Sequence, residues 1–255
     1  ELDAALAAPV LLQPWDTGRP VYEVFNNGLS GIGRAKSLSR LLRADARVAA
    51  QAGDTDRVIA DFNRQAGIAR ATSGRRLSLD YLMGVASLTM SMQDARHLAL
   101  EETLSADAIR GLLDLFSEDR RHLPSAAAVI DAERDFALAT FVDTVAEQGV
   151  RANRRKWLEA IETVHAWAAK QAADSARGPV QDIGDGQFMM SVLDGVAGEE
   201  ELLGLLRHSF AMVLDNERRL RFDLAGTRAT LLVALYRAEH GVYPGSLDVA
   251  GVPAD

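Results

Sequence analysis

The chain has 255 residues, 48% of them hydrophobic and 25% charged, and its formal net charge is -8. That composition excludes a disordered chain, because apolar residues run along its whole length and suffice for the core of one large domain or two small ones. The acidic balance argues against a nucleic-acid partner, which calls for a basic stripe able to displace counterions, and the lack of Cys removes disulfides, thiolate zinc sites and cysteine nucleophiles.

The first twenty residues carry Pro9, Pro14, Gly18 and Pro20 and read as irregular. Val21 to Phe25 suits one short strand or the start of a helix. Next comes Gly28-Leu29-Ser30-Gly31-Ile32-Gly33-Arg34-Ala35-Lys36-Ser37, ahead of a helix, where backbone N–H groups can gather around a phosphate. A phosphate loop needs Gly directly before Lys, and Ala35 stands there. The dinucleotide fingerprint fails as well, with Lys36 in its third glycine's place. The stretch reads as a flexible connector, so residues 1–34 form a lead-in to a helical domain over 35–255.

From Ala35 the three- and four-residue spacing is helical. Leu38, Leu41, Leu42, Ala46 and Ala49 share one face of a helix that Gly53 closes. Asp54 and Thr55 then offer a cap for a second helix to Thr72. A third runs from Ser78 to Glu101. Ser105 caps a fourth, through Arg121. Pro124-Ser125 opens a fifth, to Gln148, and Asn153 caps a sixth, to Ser175. A loop follows over 178–186, where the domain is a candidate for subdivision. Helices resume over Gln187–Ala197 and Glu199–His240, the last expected to bend or break near Asp215-Asn216. Turns near Gly53, Thr103, Gly149 and Gly198 recur at roughly fifty residues, as in stacked αα-hairpins. A bundle of unequal helices gives similar spacing. The fold class is therefore all-α, with stacked αα-hairpins as the leading architecture and an irregular helical bundle as the other.

Two segments carry resemblances. Ala44 to Ala69 has an Ala-rich first helix, Gly53-Asp54 at the turn, and Phe62 and Ala66 on the second helix. It resembles a tetratricopeptide-like unit over about thirty-five residues, although that family's period of about 34 residues does not continue. This implies a protein-interaction scaffold. Leu231 to Asp248 (LLVALYRAEHGVYPGSLD) is similar to the helix-end segment of pseudopilin-type proteins and of exported helical proteins of bacteria. There Gly241 would close the helix, Tyr243 fold back and Pro244 prevent continuation. That likeness implies an exported or periplasmic protein, or a membrane-anchored one. No stretch reaches the roughly 18 apolar residues of a membrane span. The chain opens at Glu1 without Met, and the expectation is a signal peptide or anchor ahead of it.

Three His follow an acid by three residues: Asp94 with His97, Asp119 with His122, and Glu162 with His165. At that spacing the two side chains share a helix face, and di-iron bundles use Glu-x-x-His pairs. Only Glu162 and His165 have those residue types, so they are the candidate metal ligands. Surface acid–His pairing is the plainer account. No HExxH or Gly-x-Ser-x-Gly element occurs. Arg151, Arg154, Arg155 and Lys156 cluster at one helix start, and Arg218, Arg219 and Arg221 within another helix; with Trp157 and Trp167 nearby, solvated basic faces over buried Trp anchors account for them. Met83, Met90, Met92, Met189 and Met190 are expected to fill core gaps. No catalytic residue and no cofactor is assigned. The leading expectation is a non-enzymatic scaffold or interaction module that binds a protein partner along a helical face. Set against it are an enzymatic or metal-binding domain centred on Glu162 and His165, and a small-ligand protein with a Met and Trp pocket.

Overall fold

The computed structural model describes residues 21–75, 77–117, 123–148, 154–175 and 200–253. These residues form seven α-helices: α1 (Val21–Gln51), α2 (Thr55–Thr72), α3 (Ser78–Leu100), α4 (Ala106–Leu115), α5 (Ala126–Gln148), α6 (Arg154–Ser175) and α7 (Glu200–His240). The fold is all-α. Successive helices pack as hairpins, α1 on α2, α2 on α3 and α5 on α6, and the long α7 lies against α3, α4, α5 and α6. No described helix is long and apolar enough to cross a membrane.

Local chemistry explains most of the boundaries. Gly53 takes φ +70 and ends α1, a conformation that costs a residue without Cβ little. The Asp54 side chain accepts from the Arg57 N–H at 3.1 Å and caps α2. Ser105 caps α4 through Ala108 N, and Ser125 accepts from Ala128 N at the start of α5. α4 shows the pattern of a helix buried on one side, with Ala108, Ile109, Leu112 and Leu115 inside. It stops at Leu115, short of the expected Arg121, with Phe116 closing it.

Three expectations need correction. Helix α1 begins at Val21, so the strand alternative for Val21–Phe25 falls. The connector over Gly28–Ser37 and the irregular lead-in over 21–34 become helix as well. Ser37 helps there, donating its hydroxyl to the Gly33 carbonyl one turn back. α7 runs unbroken through Asp215-Asn216 for 41 residues, about 60 Å. Asn216 stays helical by donating its side-chain amide to Met212 O at 2.8 Å, and Asp215 pairs with Arg219 at 2.9 Å. Residues 1–20, the 178–186 loop, the Gln187–Ala197 helix, Met189 and Met190, the Asn153 cap and the Asp119/His122 pair lie outside the described residues.

One connected core runs from Ala46 on α1 to Leu231 on α7. α3 sits among α1, α2, α5 and α7, and it is buried on more than one side. Several polar groups are therefore drawn into the interior with it. Tyr81 donates its hydroxyl to Glu217 Oε2 on α7 at 2.8 Å, and Arg221 holds the other Glu217 oxygen at 3.1 Å. The N-terminus of α3 has no side-chain cap of its own; Glu133 on α5 accepts the Ser78 N–H at 2.5 Å instead. Burial pushes the Glu133 carboxyl above its usual range, while the Ser78 contacts oppose the rise. These buried acids join helices, and each has a structural task.

A second polar seam joins α1, α2 and α3. Asp94 on α3 is held by both Arg43 and Arg47 of α1. Beside it Asp61, fully buried on α2, faces Asp45 and Arg64. Burial, followed by the neighbouring Asp45 carboxyl, holds Asp61 above the ordinary carboxylate range, and Arg64 pulls the other way. Asp45, gripped by Arg57, is held below it. Of the pair, Asp61 is thus the one whose protonated form is favoured. Its Oδ2, which finds no hydrogen-bond donor among the described residues, is the oxygen suited to carry the proton.

The sign of the resulting pH dependence follows. A carboxyl whose pKa rises on folding supports the fold below its unfolded pKa of about 3.9 and loses that support as pH rises through the folded value. Asp61→Asn does not titrate, and its amide can donate to Asp45 at any pH. Its stability gain over wild type is expected to be on the order of 1 kcal/mol at pH 7 and to shrink as pH falls toward 4. Urea denaturation at several pH values checks this; a gain independent of pH, or a loss at pH 7, contradicts a raised Asp61 carboxyl.

Candidate functional site

A groove of about 570 Å³ lies between the end of α3, the start of α4 and the last turns of α7. Leu100, Leu104 and Ile109 form one wall, and Ala229, Val233, Ala234 and Ala238 form the floor along α7. The floor lies on one face of α7 because its residues recur at three- and four-residue steps. Small side chains there leave the helix surface open. Gly241, at φ +76, ends α7 and turns the chain back, so that Tyr243 and Leu247 close the far wall. The Arg237 guanidinium lies 4.3 Å from the Tyr243 ring centroid, which fixes the fold-back expected from the sequence.

Polar groups frame this apolar floor. Arg237 also pairs with Glu102 at 2.6 Å, and Arg110 pairs with Glu239. Glu102 has φ +59, an uncommon conformation for a residue with Cβ, and the Arg237 contact holds it there. Of the lining residues, Leu100, Tyr243 and Leu247 are more than half exposed. The charged residues that line the groove are Glu102 and Arg237, and they pair with one another.

The candidate metal ligands lie elsewhere, on the exposed side of the α5–α6 pair. Glu162 receives Arg134 of α5 on both oxygens, Nε at 3.0 Å from Oε1 and 3.1 Å from Oε2, and this guanidinium holds the Glu162 carboxyl below its usual range. His165 Nε2 meets Asp131 Oδ1 of α5 at 2.7 Å. The two side chains share a face of α6, as their spacing requires, and each is directed to its own group on α5. His97 pairs with Glu101 at 3.0 Å, whereas Asp94 is taken by Arg43 and Arg47. Among the described residues no group of three or more His, Asp or Glu is arranged to hold a metal ion.

Of the basic clusters, Arg155 pairs with Glu159, Arg219 with Asp215 and Arg221 with Glu217. Met92 is fully buried, while Met83 and Met90 line a smaller cavity away from the groove. The groove itself was signalled only faintly in the sequence. Ala229 to Tyr236 is the longest apolar candidate in the chain, and the Gly241–Pro244 turn directly follows its helix. No family model, curated protein or solved structure matches the chain.

Proposed function

We propose that the chain is a non-enzymatic helical interaction module of an exported or membrane-anchored protein, and that it docks a partner protein in the groove at the end of α7. One observation carries this: an open apolar groove of about 570 Å³ that exposes three large hydrophobic side chains, Leu100, Tyr243 and Leu247. Patches of this kind mark sites that are covered in use. The tetratricopeptide-like first hairpin and the exported-protein likeness of Leu231–Asp248 agree with the reading. So does the local chemistry, in which the ion pair and cation–π contact of Arg237 frame a floor of Ala and Val side chains.

The apolar floor selects the partner. It is an amphipathic helix that presents aliphatic side chains to Val233, Ala234 and Ala238. Val233→Asp places a charge on the floor without touching the main core. Helical peptides selected from a display library against the wild-type protein are expected to be amphipathic, and to lose at least about tenfold in affinity, about 1.4 kcal/mol, for the Val233→Asp protein. Selected peptides that bind both proteins equally would remove the groove as the docking face. Concentration-dependent dimers lost in the same variant would instead make a second copy of the chain the occupant, and would refute the heterologous partner.

A further inference from the structure

Away from the groove, α1, α2 and α3 line an open cavity of about 210 Å³. Its walls are Ala35, Ile68, Met83, Ala86 and Met90, and its polar groups are Lys36, Ser39, Thr72 and Ser87. We propose that this cavity binds a free short-chain aliphatic carboxylate, with Lys36 and the three hydroxyls receiving the carboxylate and the Met and Ile side chains covering the chain.

The donor set points to an anion. Lys36 makes no ion pair with any described residue, whereas most arginines of the helix surfaces are matched to an acid. Lys36 and Ser39 stand three residues apart, on one face of α1. Ser39 and Ser87 oxygens lie 3.2 Å apart. Two hydroxyls bring two protons to that contact and their mutual bond uses one, so the other can be donated to a ligand. Thr72 is 3% exposed and sits on the cavity wall, yet its hydroxyl forms no hydrogen bond with the described residues. A hydroxyl open on that wall can donate to a ligand. No carboxylate is among the lining residues. Beneath them Arg43, whose Nη1 is 3.5 Å from the Met90 sulfur, shares the single Asp94 carboxylate with Arg47. The seam under the cavity therefore carries one more positive charge than negative.

Size and wall chemistry set the rest of the ligand. At about 30 Å³ per water-sized group the cavity holds about seven such groups, which suits a carboxylate on a chain of about five carbons. Met83 and Met90 adapt their unbranched side chains to such a chain. Phosphate or sulfate would leave the apolar walls bare, and an alkylammonium would meet Lys36 with like charge.

Hexanoate tests the proposal on the intact protein carrying ¹³C-methyl methionine. The methyl resonances of Met83 and Met90 are expected to shift on titration with a Kd on the order of 1 mM, while that of Met212, outside the lining, stays in place. Lys36→Met keeps the aliphatic stem of an exposed residue and should weaken binding about tenfold; Thr72→Val, nearly isosteric, should weaken it severalfold. 1-Hexanol and hexylammonium should bind at least about tenfold more weakly than hexanoate. Hexanol as tight as hexanoate would show a merely apolar cavity and overturn the proposal. So would unchanged affinity in Lys36→Met, or Met83 and Met90 signals that do not move at about ten times the stated Kd.

Discussion

Phe62→Ala is expected to destabilise the protein by about 3–5 kcal/mol, the largest effect of any single substitution considered for this fold. Phe62 is completely buried on α2, in the middle of the helix that α1, α3 and α4 all touch. Its ring meets Phe116, at the end of α4, edge-on, with centroids 6.4 Å apart and planes at 83°. Truncation removes the transfer free energy of the ring and leaves a cavity that three rigid helices cannot close. It also removes an aromatic contact that contributes about 0.5–1.5 kcal/mol beyond area. Phe222→Ala is the control: that ring is 71% exposed on α7, and its loss should change stability by no more than about 0.5 kcal/mol. Urea unfolding of both variants, with m unchanged, makes the comparison. A loss below about 1 kcal/mol for Phe62→Ala would mean that α2 is not wedged into the core as described.

Phe62 also shows what the sequence makes legible. Its place inside follows from its spacing with Val58, Ala66 and Ala69, all buried, and that spacing survives any arrangement of the neighbouring helices. Caps are legible for the same reason: Asp54, Ser105 and Ser125 act on N–H groups three residues away. The start of α1 is different. Gly28, Gly31, Gly33 and the adjacent Asn residues are weak helix formers, and local preference points to a connector; continuation of the helix to Val21 overrides it. Asp215-Asn216 misleads similarly, because the bond from Asn216 to Met212 O is available only once the helix exists.

Partner choice between helices is not legible at all. The Asp94–His97 and Glu162–His165 spacings describe one face of one helix. What occupies Asp94 is a pair of arginines about fifty residues earlier, and what occupies Glu162 is Arg134 on the preceding helix. The same holds for the Ser39–Ser87 contact, which joins residues 48 apart. The cavity and the groove arise from how helices cross, so their lining residues carry no local mark. Only the Gly241–Pro244 turn, which folds Tyr243 back onto α7, could be read in advance.

How close α2 and α3 cross is set by Gly84, and Gly84→Ala is the second large expected effect. A Cβ there would lie 2.9 Å from the Ala69 carbonyl oxygen and 3.0 Å from both Ser73 Cβ and Leu123 Cδ2. The backbone oxygen cannot rotate away, so the helices must separate. Overpacking of this kind costs about 1–3 kcal/mol or somewhat more, and the better helix propensity of Ala returns only about 1 kcal/mol. The expected net loss is about 2 kcal/mol. Gly111 on α4 provides the contrast. A Cβ there would come within 2.6 Å of Ile59 Cδ1 and 2.9 Å of Ile59 Cγ1, nominally a worse clash, but with side-chain atoms of one residue that can change rotamer and not with backbone. Gly111→Ala should therefore be close to neutral. Thermal unfolding of the two variants separates these cases, and equal losses would contradict a backbone-limited crossing at Gly84. The crossing also bears on binding. Gly84 is next to Met83 and its contact Ser73 is next to Thr72, two cavity-lining residues on opposite helices. Separation of α2 from α3 would widen the cavity there, drawing the Thr72 hydroxyl away from Ser87 and Lys36. Gly84→Ala should accordingly weaken hexanoate binding even under conditions where the variant is fully folded, and Gly111→Ala should not.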